Sequence, residues 1–246
     1  MLYILWGFLL VVPAFLISFL FGIIPGFLLK GIGLRKAGDA WSYWFAYAMS
    51  AFVMRLVGVK IHTVGDVDAV RRLSRSGRPL CFVSNHTSLL DIPAILSLRI
   101  RTGFVAKKEL LLVPGVNVWI LAIHSVFINR KNLKEGARSI EKAVANIRQG
   151  YPMYIFPEGK RSKNGVIGSF KKGSFRLATE SQALIVPITI KGLRVGLEDR
   201  RKPFQHSECW IHFGSPIQSP PRSDRDAVYD MIESIETGIK DIYEVL

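Results

Sequence analysis

Cysteine is scarce in this chain of 246 residues: Cys81 and Cys209 are the only two, too few for a disulfide framework. Neither has the close Cys or His spacing of a zinc or redox site, and each lies in an apolar, strand-like run, so packed thiols in a reducing compartment are expected. Acidic residues are also few, 19 Asp+Glu against 33 Lys+Arg, and the formal net charge of +14 implies an anionic partner. The start has neither a basic segment nor a small-residue cleavage site, which argues against a secretory signal. No recognised nucleic-acid motif accompanies the positive charge, so no nucleic-acid partner is expected and an anionic phospholipid membrane fits better. Internal repeats and low-complexity linkers are absent, and the length suits one folded unit plus an appendage.

The appendage is the N-terminus. Residues 1–29 carry no charged side chain, and as a straight helix they would extend about 43 Å, more than the ~30 Å hydrocarbon core of a bilayer. Pro13 and the cluster Gly22 to Gly26 interrupt that run. A second apolar stretch, 40–57, is rich in aromatics (Trp41, Tyr43, Trp44, Phe45, Tyr47, Phe52), and Arg55 is its only charge. Such rings favour the membrane interface. The two stretches read as a helical hairpin, joined by residues 30–36, that either spans the bilayer or dips into one leaflet; a buried core hairpin is the soluble alternative. Residues 1–58 are thus expected to form a membrane-associated hairpin and residues 59–246 a second domain.

Beyond the hairpin, short apolar runs alternate with helical periodicity. Expected strands are 59–64, 80–84, 102–106, 126–129, 153–156, 185–190 and 209–213. Leu133, Ala137, Ile140, Val144 and Ile147 fall on one face of a helix that Asn132 and Glu135 can cap and Gly150 can end. A last helix carries Val228, Met231, Ile232, Ile235, Ile239 and Ile242 on one face, with Ser223 expected as its cap. The pattern predicts an α/β fold, a mixed and partly parallel sheet flanked by helices, with ligand sites beyond strand ends.

Three strand ends carry chemistry. In Asn85-His86-Thr87-Ser88-Leu89-Leu90-Asp91, a histidine and a carboxylate flank the start of a helix-like run containing Pro93. Positions five apart on one helix point about 140° from each other, so for the two to meet His86 must precede the helix and Asp91 lie in its first turns. The pair would then suffice for a general base, with the carboxylate fixing the imidazole tautomer. The competing reading makes Ser88 a helix cap, Asp91 its partner and His86 a loop residue. At the second strand end, Lys107 and Lys108 can offer mobile positive charge to a phosphate or form a solvated basic turn. At the third, Phe156-Pro157-Glu158-Gly159-Lys160-Arg161-Ser162 presents Glu158, Lys160 and Arg161 on a glycine-permitted turn, where the Arg161 fork suits a phosphate.

Taken in order, these runs resemble the glycerolipid acyltransferase family, most of all its bacterial 1-acylglycerol-3-phosphate acyltransferases. The family's Asn-His-x4-Asp block matches 85–91, its Lys-x-Glu-Leu to Ile-Asp-Arg region 107–130, its Phe-Pro-Glu-Gly-Thr-Arg-Ser block 156–162, and its late Val-Pro segment Val186-Pro187. The chain departs in having Lys160 for threonine, Asn129 for the aspartate before Arg130, and Pro114 and Gly115 adjacent. The basic residues of 169–176 resemble a further family segment that would face the acyl donor or lipid headgroups.

The resemblance implies transfer of a fatty acyl group from acyl-CoA or acyl carrier protein to the sn-2 hydroxyl of lysophosphatidic acid, yielding phosphatidic acid in phospholipid biosynthesis. His86 would be the base and Asp91 its orienting carboxylate. Lys107, Arg161 and Arg130 would hold the phosphate, Glu158 would shape the acceptor pocket or pair with a cation in it, and Gly159 and Ser162 would be further substrate-binding residues. No metal or cofactor is implied, and the catalytic domain would face the cytoplasmic side of the cell membrane. Glycerol-3-phosphate or another lysolipid as acceptor is the sister alternative; a non-catalytic basic membrane scaffold is the alternative of another class. His62, His124, His206 and His212 lack a comparable partner run and are expected to be structural.

Overall fold

The computed structural model describes residues 18–113, 116–129, 132–162, 164–199 and 206–246. Residues 1–17, most of the first expected hairpin arm, lie outside these, as do Pro114, Gly115 and Arg130. After a π-helical turn, Ser18–Ile23, come α1 (Ile24–Gly31) and α2 (Arg35–Val57), then β1 (Val59–Val64), α3 (Val67–Ser74), β2 (Leu80–Ser84) and α4 (Asp91–Ser97). Next follow β3 (Gly103–Lys107), α5 (Val116–Ala122), β4 (Val126–Ile128), α6 (Leu133–Arg148) and β5 (Met153–Ile155). The chain continues with α7 (Arg176–Ser181), β6 (Leu184–Lys191), α8 (Leu193–Gly196), β7 (Ser207–Phe213), β8 (Ile217–Gln218) and α9 (Arg225–Val245).

The described strands form one sheet in the order β1-β7-β6-β2-β5-β3-β4, with β8 pairing β6. β2 pairs β5 and β6 in parallel, β3 pairs β5 and β4 in parallel, and β6 is antiparallel to β7 and β8. The expected mixed, partly parallel sheet is therefore present. β2 shows why it is central: Leu80 and Phe82 join the core under α2 and α4, while Cys81 and Val83 join the core under α6, α7 and α9. The period-two alternation of a strand buries both faces, so both must be apolar. Burial pushes the Cys81 thiol up to about 12 and raises that of Cys209 as well, and both are the packed thiols expected.

The helix caps follow the sequence with one correction. Asn132 Oδ1 accepts the N–H groups of Lys134 and Glu135, and Gly150, at φ +81°, ends α6. At α9 the cap is Asp224, not Ser223: its Oδ1 accepts the Ala227 N–H at 3.1 Å, the Ncap-to-N3 bond that Ser223 lies one residue too early to make.

α1 and α2 cross closely and antiparallel, Gly26 against Ser42 and Lys30 against Gly38. α2 is no separate appendage, since Tyr43, Ala46 and Met54 belong to the core that contains Phe82 and Ile95. Asp39 is buried and bonded to Lys30 of α1 at 2.8 Å, to His124 at 2.7 Å and to the Tyr151 hydroxyl at 2.8 Å. Among the described residues no helix is long and apolar enough to cross a membrane. The outer face of the hairpin nevertheless exposes Leu20, Phe21, Phe27, Leu28, Trp44 and Phe52.

Candidate active site

β2 ends at Ser84, and the next residue fixes the exit of the chain. The Asn85 amide accepts the Ile190 N–H at 2.9 Å and donates to the Ile190 carbonyl at 2.8 Å, clamping the strand end to β6. His86 therefore leaves the carboxyl edge of the sheet in a defined direction, before α4 begins at Asp91. Its Nδ1 lies 2.7 Å from Asp91 Oδ2, which also accepts the N–H groups of Thr87 and Ser88 at 2.8 and 3.0 Å. An N–H on Nδ1 leaves the Nε2 lone pair to act as base, and Nε2 has no hydrogen-bond partner among the described residues. The ring stacks on Phe156 with centroids 3.9 Å apart, which fixes the plane in which Nε2 is presented.

Asp91 is fully buried. Burial pushes its carboxyl above the ordinary carboxylate range, while the hydrogen bonds from His86, Ser88 and Thr87 work in the opposite direction. Both readings of the 85–91 run meet here, because Asp91 secures the turn ahead of α4 while it holds His86. Ser88 is not the helix cap: the N-cap position is Leu90, and the Ser88 hydroxyl accepts the Leu90 N–H and donates to Glu198 at 2.6 Å.

The turn after β5 cradles the histidine from the other side. Glu158 Oε1 accepts the His86 N–H at 2.7 Å, and its Oε2 accepts the Gly168 N–H at 2.9 Å. Ser162 donates its backbone N–H to the His86 carbonyl at 2.9 Å. Both backbone groups of His86 are thus held by residues 158–162. Gly159 makes this turn at φ +72°, where a side chain would strain the backbone and approach Lys171 Nζ to 3.0 Å. Burial raises the Glu158 carboxyl, opposed by the N–H groups of Gly168 and His86.

Arg161 reaches the site through a residue that no sequence pattern marks. Its Nη1 lies 3.1 Å from Glu198 Oε1, and the same carboxylate accepts the Ser88 hydroxyl and the Leu89 N–H. Lys107 ends β3 on the same sheet edge, two strands from β2, exposed and paired with Glu109 at 3.3 Å. The structure thus brings His86, Asp91, Glu158 and Ser162 into one bonded unit and joins Arg161 to it through Glu198. No bond among the described residues ties Lys107 to that unit, and Arg130 lies outside them. Glu198, more than a hundred residues from the loop it binds, and the clamp by Asn85 are the site residues that sequence reasoning missed.

A family model described as Acyltransferase matches residues 61–191, a span that runs from β1 through both halves of this site to the end of β6. This chain belongs to the acyltransferase family. Relatives with names include the 1-acyl-sn-glycerol-3-phosphate acyltransferase of Borreliella burgdorferi, 31% identical over 55% of this chain and 52% of that protein. A probable 1-acyl-sn-glycerol-3-phosphate acyltransferase of Mycoplasma pneumoniae is 31% identical over 70% of this chain and 64% of its own length. A chloroplastic 1-acyl-sn-glycerol-3-phosphate acyltransferase of Arabidopsis thaliana is 33% identical over 52% of this chain and 36% of its own. The acyltransferase chain therefore spans about a third to two thirds of the length of these curated relatives. The crystal structure of the 1-acyl-sn-glycerophosphate (LPA) acyltransferase PlsC from Thermotoga maritima shares the fold, with a TM-score of 0.72 at 23% identity over 95% of each chain.

Proposed function

We propose that this acyltransferase moves a fatty acyl group from an acyl thioester, on coenzyme A or acyl carrier protein, to the sn-2 hydroxyl of lysophosphatidic acid, forming phosphatidic acid. The observation that carries the reading is the buried Asp91 bonded to His86 Nδ1, with Nε2 left for a substrate. In the first step Nε2 takes the proton of the acceptor hydroxyl as its oxygen forms a bond to the thioester carbonyl carbon. Asp91 stabilises the imidazolium that results. The tetrahedral adduct then collapses, the carbon–sulfur bond breaks, and the imidazolium returns its proton to the leaving thiolate. Arg161 supplies a planar fork for the phosphate once it exchanges Glu198 for phosphate oxygens, and Lys107 and Arg130 add positive charge.

The reading extends to place. The exposed apolar face of the hairpin would lie in one leaflet at the cytoplasmic surface of the cell membrane, so that neither the lysolipid nor its product has to be extracted into water. The test is thiol release by the purified full chain with detergent-solubilised lysophosphatidic acid and labelled acyl-CoA or acyl carrier protein, and with glycerol-3-phosphate in a parallel arm. His86→Ala should lower the rate roughly 10²- to 10⁴-fold. A basic scaffold without catalysis would release no thiol in any arm.

A further inference from the structure

A roomy cavity lies away from His86. About 680 Å³ of space opens between α2 and the amino ends of the sheet, with Arg75 ahead of β2, Arg99 and Arg101 ahead of β3, and Tyr151 ahead of β5. His86 lies beyond the carboxyl end of β2, so the full length of that five-residue strand, roughly 16 Å, separates the two places.

The chemistry of the cavity wall is one-sided. Arg101 is held over the rings of Tyr151 and Tyr43, with its guanidinium carbon 4.9 and 5.4 Å from the two centroids. Arg75 donates to the Arg99 carbonyl at 3.0 Å, which ties the two segments together at the rim. Arg99 itself sits at φ +59°, a conformation that L residues seldom adopt. Among the described residues no carboxylate pairs with any of the three. Asp39, the carboxylate that lines the cavity, is already occupied by Lys30, His124 and Tyr151. Three guanidinium groups gathered without a counter-charge repel one another, and an anion with several oxygens would relieve that repulsion through forked hydrogen bonds.

The opposite wall says which anion. Trp44, Ala48 and Ala51 of α2 line the cavity, and Trp44 is also 57% exposed on the outer face of the same helix, with its ring 5.7 Å from that of Trp41. The cationic end of the cavity therefore opens along an apolar helix face.

We propose that this cavity binds the phosphate headgroup of an anionic phospholipid, with Arg75, Arg99 and Arg101 on the phosphate and the first acyl carbons laid over Trp44 and Ala48. The site is separate from the one at which His86 works and does not depend on the acceptor assigned there.

Flotation of the purified full chain on phosphatidylcholine vesicles, with and without phosphatidylglycerol, reads the binding as a ratio of the two partition coefficients. Arg75→Gln/Arg99→Gln should lower that ratio roughly tenfold or more. The charge-matched Lys134→Gln/Lys142→Gln, on α6 across the sheet, should change it little. Ala48→Leu narrows the cavity without altering charge and should lower the ratio too, whereas diffuse surface attraction predicts no change for it. Acyl transfer in mixed detergent micelles should be retained by all these variants, which also shows that they fold. Equal loss in the α6 variant, an unchanged ratio in Ala48→Leu, or loss of transfer in micelles would each overturn the proposal. So would competition by millimolar inorganic phosphate as effective as that by dihexanoyl phosphatidylglycerol, because the site would then be one for free phosphate.

Discussion

At the scale of the residue, Glu158 distinguishes two ideas of what the second block of the site does. Sequence reasoning gives it to the acceptor pocket, yet its two oxygens take the N–H groups of His86 and Gly168. A carboxylate has acceptors on both sides, whereas a glutamine turns an NH2 group toward one of those N–H donors. Glu158→Gln should therefore shift His86 and lower kcat about 10- to 100-fold while KM for the acyl acceptor stays nearly constant. A rise in KM with kcat preserved would instead make Glu158 a substrate contact. The pairing of His86 with Asp91 is legible in sequence because five residues of local geometry decide it. Glu198 is not, because its bond to Ser88 depends on how α8 returns to the sheet. Likewise His124, which has no partner run near it in the sequence, finds Asp39 only when the hairpin docks.

Elements were easier to read than their partners. β1 and β2 occupy 59–64 and 80–84 as expected, because each apolar run is closed by turn residues, but the two-residue β8 is too short to leave a periodic signal. The second apolar stretch reads as a helix and α2 covers it, whereas most of the first, 1–17, lies outside the described residues. The tight crossing of α1 and α2 is not legible, since glycines read equally well as interruptions. A Cβ on Gly38 would lie 2.6 Å from the Gly26 carbonyl oxygen, a backbone atom that cannot swing aside. Gly38→Ala should therefore be net destabilising by roughly 1–2 kcal/mol, the overpacking outweighing the gain in helix propensity. At Gly31, where nothing lies within 4 Å of an added Cβ, the same change should be neutral or stabilising. Thermal unfolding of both variants checks the contrast, and a Gly38→Ala protein as stable as the parent would mean that the helices are free to separate.

At the scale of the whole molecule, the hairpin and the rest of the fold are joined by packing under α2, by hydrogen bonds from Lys30 and the Tyr43 hydroxyl to the carbonyls of Ala122 and Ile123, and by a polar pin at Asp39. Burial alone would raise the Asp39 carboxyl, but hydrogen bonds from His124 and Lys30, the charge on His124 and the Tyr151 hydroxyl outweigh it and hold the group well below its ordinary value of 3.8. A carboxylate depressed in the folded state contributes stability that is fully present above the unfolded value and is lost as the pH falls toward the folded one. The pin should therefore be intact from neutral pH down to about pH 4 and weaken below it. Asp39→Asn keeps the shape but leaves Lys30 facing a neutral group, at a cost of roughly 3 kcal/mol near neutral pH. Denaturant unfolding of parent and variant across that range isolates the group, because every other carboxylate titrates in both proteins. The gap between the two stabilities should close progressively below about pH 4. A gap that remained constant into strong acid would show that Asp39 contributes no charge to the joint, leaving the apolar contacts of Tyr43, Ala46 and Met54 and the bonds of Lys30 and Tyr43 to the Ala122 and Ile123 carbonyls to hold the hairpin.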